Sequence, residues 1–295
     1  IVAGTQSMTV YKPIKDLASK AAEISVELGS GKEPTKTTNL FLGLLPFLLI
    51  VIVYVSSSAI RLTENPNDKL LPSIEKCIDS MGKLAFEKSA REDTYILLSD
   101  TVSSLERLAI GIGVSAVFAL VIGILIGVIP YMTSALSPLI WFFSLIPTMA
   151  ILPILFIVFG LGEVSKIVLI ILGIAPIMTR EIYQRVREIP SEQIIKVQTL
   201  GASTWQIITR VITPQILPRL IDAIRLTLGT AWIFLISAEA IASTEGLGYR
   251  IFLVRRYLAM DVILPYVLWI TLFAFLMDFA LRLFNQRLFP WFGKE

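Results

Sequence analysis

The stretch VQTLGASTWQIITRVITPQILP (Val197–Pro218) is polar, yet it stands between two long apolar segments, Val164–Ile182 and Leu226–Ser243. Gly201 permits a sharp change of direction or a close helix approach. Pro214 and Pro218 cannot continue a helix interior, so they mark where the next element begins. Trp205 and Ile208 supply apolar knobs that suit a pocket on a partner. A chain needs a reason to place such a loop between two membrane-length segments. The plain alternative is an ordinary connection between spans.

Working outward, the sequence predicts an all-α polytopic membrane protein with about six transmembrane helices. Leu40–Ile60 is the first, an uncharged apolar run long enough to cross ~30 Å of hydrocarbon. Leu97–Ile129 is the second, with wet first turns from Asp100 to Arg107. Leu136–Gly160 is the third, Val164–Ile182 the fourth, Leu226–Ser243 the fifth and Val262–Phe284 the sixth. Four regions follow: 1–37, a cytoplasmic N-terminal segment; 38–60, the first transmembrane helix; 61–96, a periplasmic segment; and 97–295, the core, with the loop at 183–220. Within 1–37, Ile14, Leu17, Ala21, Ile24 and Leu28 recur at helical spacing, an amphipathic pattern stopped by Gly29, Gly31 and Pro34. Ile74, Ile78, Met81 and Ala85 form a second such pattern. Lys and Arg are more numerous in the flanks on the N-terminal side, which puts both termini in the cytoplasm. The segment before the first apolar run does not resemble a cleavable signal peptide.

Composition narrows the function. The chain is 55% hydrophobic and only 17% charged, with mean hydropathy +0.76, so a bilayer is its expected solvent. It has no His, which removes the commonest general base and metal ligand. Its single cysteine, Cys77, rules out an intrachain disulfide and a Cys-based zinc site. The net charge of +3 does not suggest nucleic acid. No Gly-x-x-x-x-Gly-Lys-Ser/Thr phosphate loop occurs.

Charges at membrane depth are the next candidates. Glu239, near Ser237 and Ser243, is expensive in hydrocarbon and should face the bundle interior or water. It either lines a pathway or hydrogen-bonds a neighbouring helix. Asp278 and Arg282 stand at i and i+4 and are expected to pair with each other. The third span carries Pro138, Pro147 and Pro153 beside Ser144, Thr148 and Met149. Non-helical backbone is tolerated where it lines a cavity, which makes these residues candidate pathway wall. A kinked packing helix is the alternative. Arg250, Arg255 and Arg256 could attract an anion or meet an acidic partner surface, or anchor at the interface by snorkelling.

Several motifs carry a family resemblance. Leu200-Gly201-Ala202-Ser203 followed by Pro214 resembles the Gly-centred half of the cytoplasmic motif of binding-protein-dependent ABC importer permeases. Further pieces resemble the nitrate/sulfonate/taurine branch. They are Ser103-Ser104-Leu105-Glu106-Arg107; Ile146-Pro147-Thr148 with Leu152-Pro153; and Phe159-Gly160-Leu161-Gly162-Glu163 with Ser165-Lys166. Ala238-Glu239, Glu245-Gly246-Leu247-Gly248, Ala259-Met260-Asp261-Val262 and Pro290-Trp291 complete the set. The chain departs from the pattern at Ile195-Lys196-Val197, where the family has Glu-Ala-Ala; Glu192, one turn earlier, is the nearest carboxylate.

The resemblance implies a type I ABC importer permease in a bacterial inner membrane, with no catalysis of its own. It implies a second permease copy as partner, the pathway lying between the two, and contact with membrane lipid. Two ABC ATPase subunits holding ATP and Mg would dock at Leu200, Gly201, Ala202, Ser203, Trp205 and Pro214. A periplasmic or tethered binding protein would deliver a small anion, taurine or another organic sulfonate ahead of nitrate or bicarbonate. A self-sufficient secondary transporter or channel is the rival, though no matched halves are present. An intramembrane enzyme would need a nucleophile or metal set within the spans.

Overall fold

The computed structural model describes residues 36–65, 68–88 and 94–292. The amphipathic pattern around Ile14 to Leu28 lies outside them. The described regular structure is helical apart from one antiparallel bridge between Lys88 and Tyr95. In chain order the helices are α1 (Lys36–Glu64), α2 (Ile74–Phe86), α3 (Ile96–Val128), α4 (Pro130–Ser144), α5 (Thr148–Phe159) and α6 (Glu163–Arg187). Then come α7 (Ser191–Thr199), α8 (Thr204–Ile207), a π-helical turn (Ile208–Ile212), α9 (Thr213–Ala242), α10 (Leu247–Arg255) and α11 (Met260–Leu288).

The chain divides into two units, residues 1–57 and 58–295. In the first, α1 carries an apolar stretch whose side chains are almost all exposed, as a lipid-facing helix requires. The second unit is a helix bundle built on the parallel pair α3 and α6. Along their seam Gly111, Gly123 and Gly127 lie so close to Ile170, Ile182 and Val186 that a Cβ would fall 2.7, 2.7 and 2.5 Å from their side-chain carbons. Lipid gives apolar helices no reason to leave it, so close backbone approach supplies the packing energy instead. Gly123→Leu should therefore cost about 1–3 kcal/mol by overpacking. A melting temperature in detergent unchanged by that substitution would contradict the seam. Helix α9 buries Ile216, Leu220, Leu228, Ala231 and Leu235 in the same core cluster.

Among the described residues, four helices are long and apolar enough to cross a membrane: α1, α3, the run Thr204–Ala242, and α11. The third expected span is not one helix. It breaks between Ser144 and Thr148, and α4 and α5 meet at 95°. The break lets α5 turn Thr148, Leu152 and Leu155 inward, the two leucines packing with Leu169 and Ala238. The fourth span is α6, apolar only from Ile167 to Thr179 and charged at both ends, with neighbours covering most of one side.

The loop expected at 183–220 is mostly helical. Pro214 stands in the first turn of α9, where the sequence expects an element to begin, whereas Pro218 lies inside α9; helical backbone nevertheless runs on from Thr204 to Ala242. The π turn just before Pro214, where the Thr213 N–H reaches back to the Ile208 carbonyl, absorbs the register that a proline disrupts. The Pro218 carbonyl also accepts a bond from Asn285 Nδ2 at 3.1 Å, which ties α9 to α11.

Helix α2 docks by a different face from the one expected. Met81, Leu84 and Ala85 pack on the core and Ser80 donates to Asp261 at 2.6 Å, whereas Ile74 and Ile78 stay exposed. The bundle thus has two polar ends, one at Gly201 and one at Glu239. Because α9 and its leading turns are one run of 39 residues, a rod of roughly 58 Å joins them.

Candidate functional site

At the first end, LGAS is a helix stop and a helix start compressed into four residues. The Gly201 N–H bonds the Gln198 carbonyl at 2.9 Å and the Ala202 N–H bonds the Val197 carbonyl at 3.3 Å. This is the paired pattern that ends a helix when its next residue is left-handed. Gly201 has φ +83, which only glycine adopts without cost. Ser203 then caps α8: its Oγ accepts from the Gln206 N–H while the Gln206 side chain accepts from the Ser203 N–H. Helix α7 is fastened by Ile194 and Val197, and α8 by the buried Ile207. Facing away are Ile195 at 56% exposure, Leu200 at 80% and Trp205 at 71%. Ala202 is half-buried, Pro214 is exposed, and Ile208 packs against the core rather than projecting as a knob. Glu192 is exposed on α7. A rigid base with three large exposed apolar side chains is a docking surface in form.

The second end is a buried ionic cluster. Glu239 on α9 has no exposed surface. Its oxygens accept from Arg107 Nη1 at 2.7 Å, from the Ser104 hydroxyl at 2.8 Å and from the Gly248 N–H at 2.8 Å. Arg107 also grips Glu163 through two nitrogens and donates to the Glu245 carbonyl at 3.0 Å. Lys166 bridges Glu163 at 2.8 Å and Ser243 at 3.0 Å. Beside it Asp100, also fully buried, accepts from Arg250 at 2.8 Å, from the Tyr266 hydroxyl at 3.1 Å and from the Gly246 N–H at 3.0 Å. Burial works against the charged form of Arg250, but the Asp100 carboxylate outweighs it and the pKa is raised. Three buried or half-buried cations thus meet four carboxylates, the fourth being Glu245 at 3.8 Å from Arg107, and the buried charges are hydrogen-bonded, as low dielectric demands.

The glycines of Glu245-Gly246-Leu247-Gly248 are explained by this cluster. A Cβ on Gly246, whose φ is +123, would lie 2.6 Å from the Glu239 carboxyl, and one on Gly248 would lie 2.6 Å from the Ile236 carbonyl. Gly246→Ala should accordingly lower the melting temperature in detergent by several degrees, since backbone strain and a clash with a buried carboxylate coincide; an unaffected variant would mean the loop yields freely.

Of the two roles open for Glu239, the structure contains the hydrogen-bonded one. Asp100 to Arg107 are not wet on the face that matters: Asp100 and Ser104 are fully buried and Arg107 is 3% exposed. Their spacing of i, i+4 and i+7 puts them on one helix face, a signal the sequence held. Arg250 is tied to Asp100, while Arg255 and Arg256 are exposed and Arg255 stacks 4.9 Å over Phe252. Asp278 does not pair with Arg282. Its partner is Arg225 of α9 at 2.8 Å, because two adjacent helices bring these groups closer than one turn of α11 does. Pro147 lies in the α4–α5 break, with Ser144, Thr148 and Met149 around it; Thr148 is buried and the Ser144 hydroxyl donates to the Trp141 carbonyl. The Ser237 hydroxyl is turned back to the Ile233 carbonyl at 2.8 Å.

Residues 112–290 match the family model described as binding-protein-dependent transport system inner membrane component. The chain belongs to that family. It is 33% identical to the taurine transport system permease protein TauC of Escherichia coli (strain K12) over 224 residues, covering 76% of this chain and 81% of that one. The bicarbonate transport system permease protein CmpB of Synechococcus elongatus is 28% identical, covering 80% and 84%. Among solved structures, a chain of the MetNI methionine ABC transporter superposes with TM-score 0.59 at 22% identity, covering 68% of this chain and 99% of its own. That likeness is one of fold, and it is the type I ABC importer permease fold. The chain is a multi-pass inner-membrane permease subunit that works without catalysis of its own, in a family served by separate ATPases and a solute-binding protein.

Proposed function

We propose that this permease pairs with a second copy of itself and imports a small anion on ATP hydrolysed by two attached subunits. ATP and Mg belong to those subunits. The observation that carries the reading is the Gly201 end: Leu200 and Trp205 stand exposed on a base fixed by Ile194, Val197 and Ile207, and Trp205 and Ile207 lie in the same helical run, Thr204–Ala242, that carries Glu239 in its last turn. A push at Trp205 is therefore a push on α9. Both termini and the Gly201 end face the cytoplasm, in line with the Lys and Arg bias. The Glu239 end, with exposed Arg255 and Arg256, faces the binding protein. Exposed apolar residues on α5 and α9, such as Ile154, Ile157, Ile233 and Ile241, supply a face for the second copy and for lipid. The α4–α5 break with Ser144, Pro147, Thr148 and Met149, together with Ser237, forms the pathway wall.

The cargo is an organic sulfonate such as taurine, ahead of nitrate or bicarbonate, a choice supported by the likeness to TauC over most of both chains. The test is uptake of labelled taurine into proteoliposomes holding the permease, its ATPase and its binding protein. ATP-dependent uptake that excess nitrate or bicarbonate does not suppress is the expected result. Gly201→Glu should abolish it, since it forces a side chain into φ +83 and sets a carboxylate in the docking surface. Uptake by the permease alone would overturn the proposal.

A further inference from the structure

Resting on that reading, a second property of the Gly201 end concerns what kind of surface the ATPase must present. Lys196 lies one helical turn before Leu200, and Arg210 lies on the turn that follows Trp205 and Gln206. Both are exposed, and among the described residues neither has a carboxylate within ion-pair reach. Three further cations toward this end are engaged within the chain: Arg185 by Glu181 and Glu188, Arg225 by Asp222 and Asp278, and Arg219 over the Phe292 ring. The acids are less available. Glu188 is held by Arg185, and Glu192 sits in the first turn of α7, where the helix N-terminus already favours its charge. At position 195 the chain offers an exposed isoleucine.

We propose that this end is an apolar plug, Leu200 and Trp205, flanked by two free cations, and that its partner is an ATPase cleft with an apolar floor and a carboxylate rim. Docking removes Lys196 and Arg210 from water, and a cation buried without a counter-charge is costly, so the cleft must supply acids. Charge pairs at an interface rim also speed association and make it salt-dependent.

The experiment measures binding of the ATPase subunit to the permease in nanodiscs, at 50 and 500 mM NaCl. Wild-type affinity should fall at least tenfold between the two salts. Lys196→Gln with Arg210→Gln should weaken low-salt binding about tenfold and flatten the salt response, and Lys196→Glu with Arg210→Glu should weaken it further. Glu192→Gln should leave affinity within about twofold. Melting temperatures of the variants, unchanged for exposed positions, exclude misfolding as the cause. The reverse pattern, with Glu192→Gln weakening binding and the basic pair indifferent, overturns the inference and makes the permease the acidic partner. Wild-type binding insensitive to salt and to all these changes overturns the inference but leaves the functional reading standing. No binding by folded wild-type permease removes both.

Discussion

Arg107→Met is expected to destabilise the permease more than any other single change in the bundle. Arg107 is 3% exposed and joins Glu239 on α9, Glu163 on α6 and the Glu245 carbonyl before α10. Methionine fills much of the same volume but leaves Glu239 charged, fully buried and without its cation. Removing one partner of a buried pair typically costs about 3–5 kcal/mol, against total stabilities of about 5–15 kcal/mol. A drop in melting temperature on the order of 10 °C should follow, with poor yield from membranes. Arg107→Lys should fall in between, because an ammonium supplies the charge but not the fork that reaches two carboxylates at once. The double variant Arg107→Met, Glu239→Gln should be less harmful than the two single losses summed, since it removes the stranded charge while the amide still accepts from Gly248. Arg107→Met melting within about 2 °C of the parent would show that the cluster does not hold these helices together.

This cluster also shows where sequence reasoning stops. The change of direction at Gly201 was legible because its determinant is local, a left-handed glycine that closes α7; the Ser-x-x-Gln box that opens α8 is equally local but is drawn from the structure. Helix existence was legible wherever apolar runs were long. The partners of Glu239 were not, because Arg107 lies 132 residues away in sequence and only the α3–α6–α9 packing brings them together. Asp278 misled for the same reason, its i+4 neighbour Arg282 being a weaker claim than Arg225 across the helix interface. Prolines were ambiguous in both directions. Pro138, Pro153, Pro176 and Pro218 sit inside helices, whereas the chain breaks at Pro147. The residue-before-proline rule applies equally to all of them. Burial of Thr148, Leu152 and Leu155 selects the break, and burial is a property of the fold rather than of the dipeptide.

Trp205→Ala should separate folding from coupling. The side chain is 71% exposed, and the Ser203–Gln206 capping box that holds α8 does not use it. Its loss should shift stability by no more than about 0.5 kcal/mol. At an interface the same truncation is severe: exposed aromatic anchors that fill a partner's pocket typically contribute about 2–4 kcal/mol, which at 1.4 kcal/mol per decade is roughly a 30- to 1,000-fold loss of affinity. ATPase subunits should therefore dissociate from the variant during purification, and ATP-driven uptake in proteoliposomes should fall by more than tenfold while the melting temperature of the permease alone stays unchanged. Trp205→Phe, which keeps a ring in the pocket, should recover most of both. The contrast with Arg107 is the decisive feature. One residue is buried and indispensable to the fold, the other exposed and dispensable to it, and the helix ending at Glu239 begins beside the second. If Trp205→Ala retained full uptake and full ATPase retention, force would not enter the bundle through this ridge, and the rod formed by α9 would have no established input.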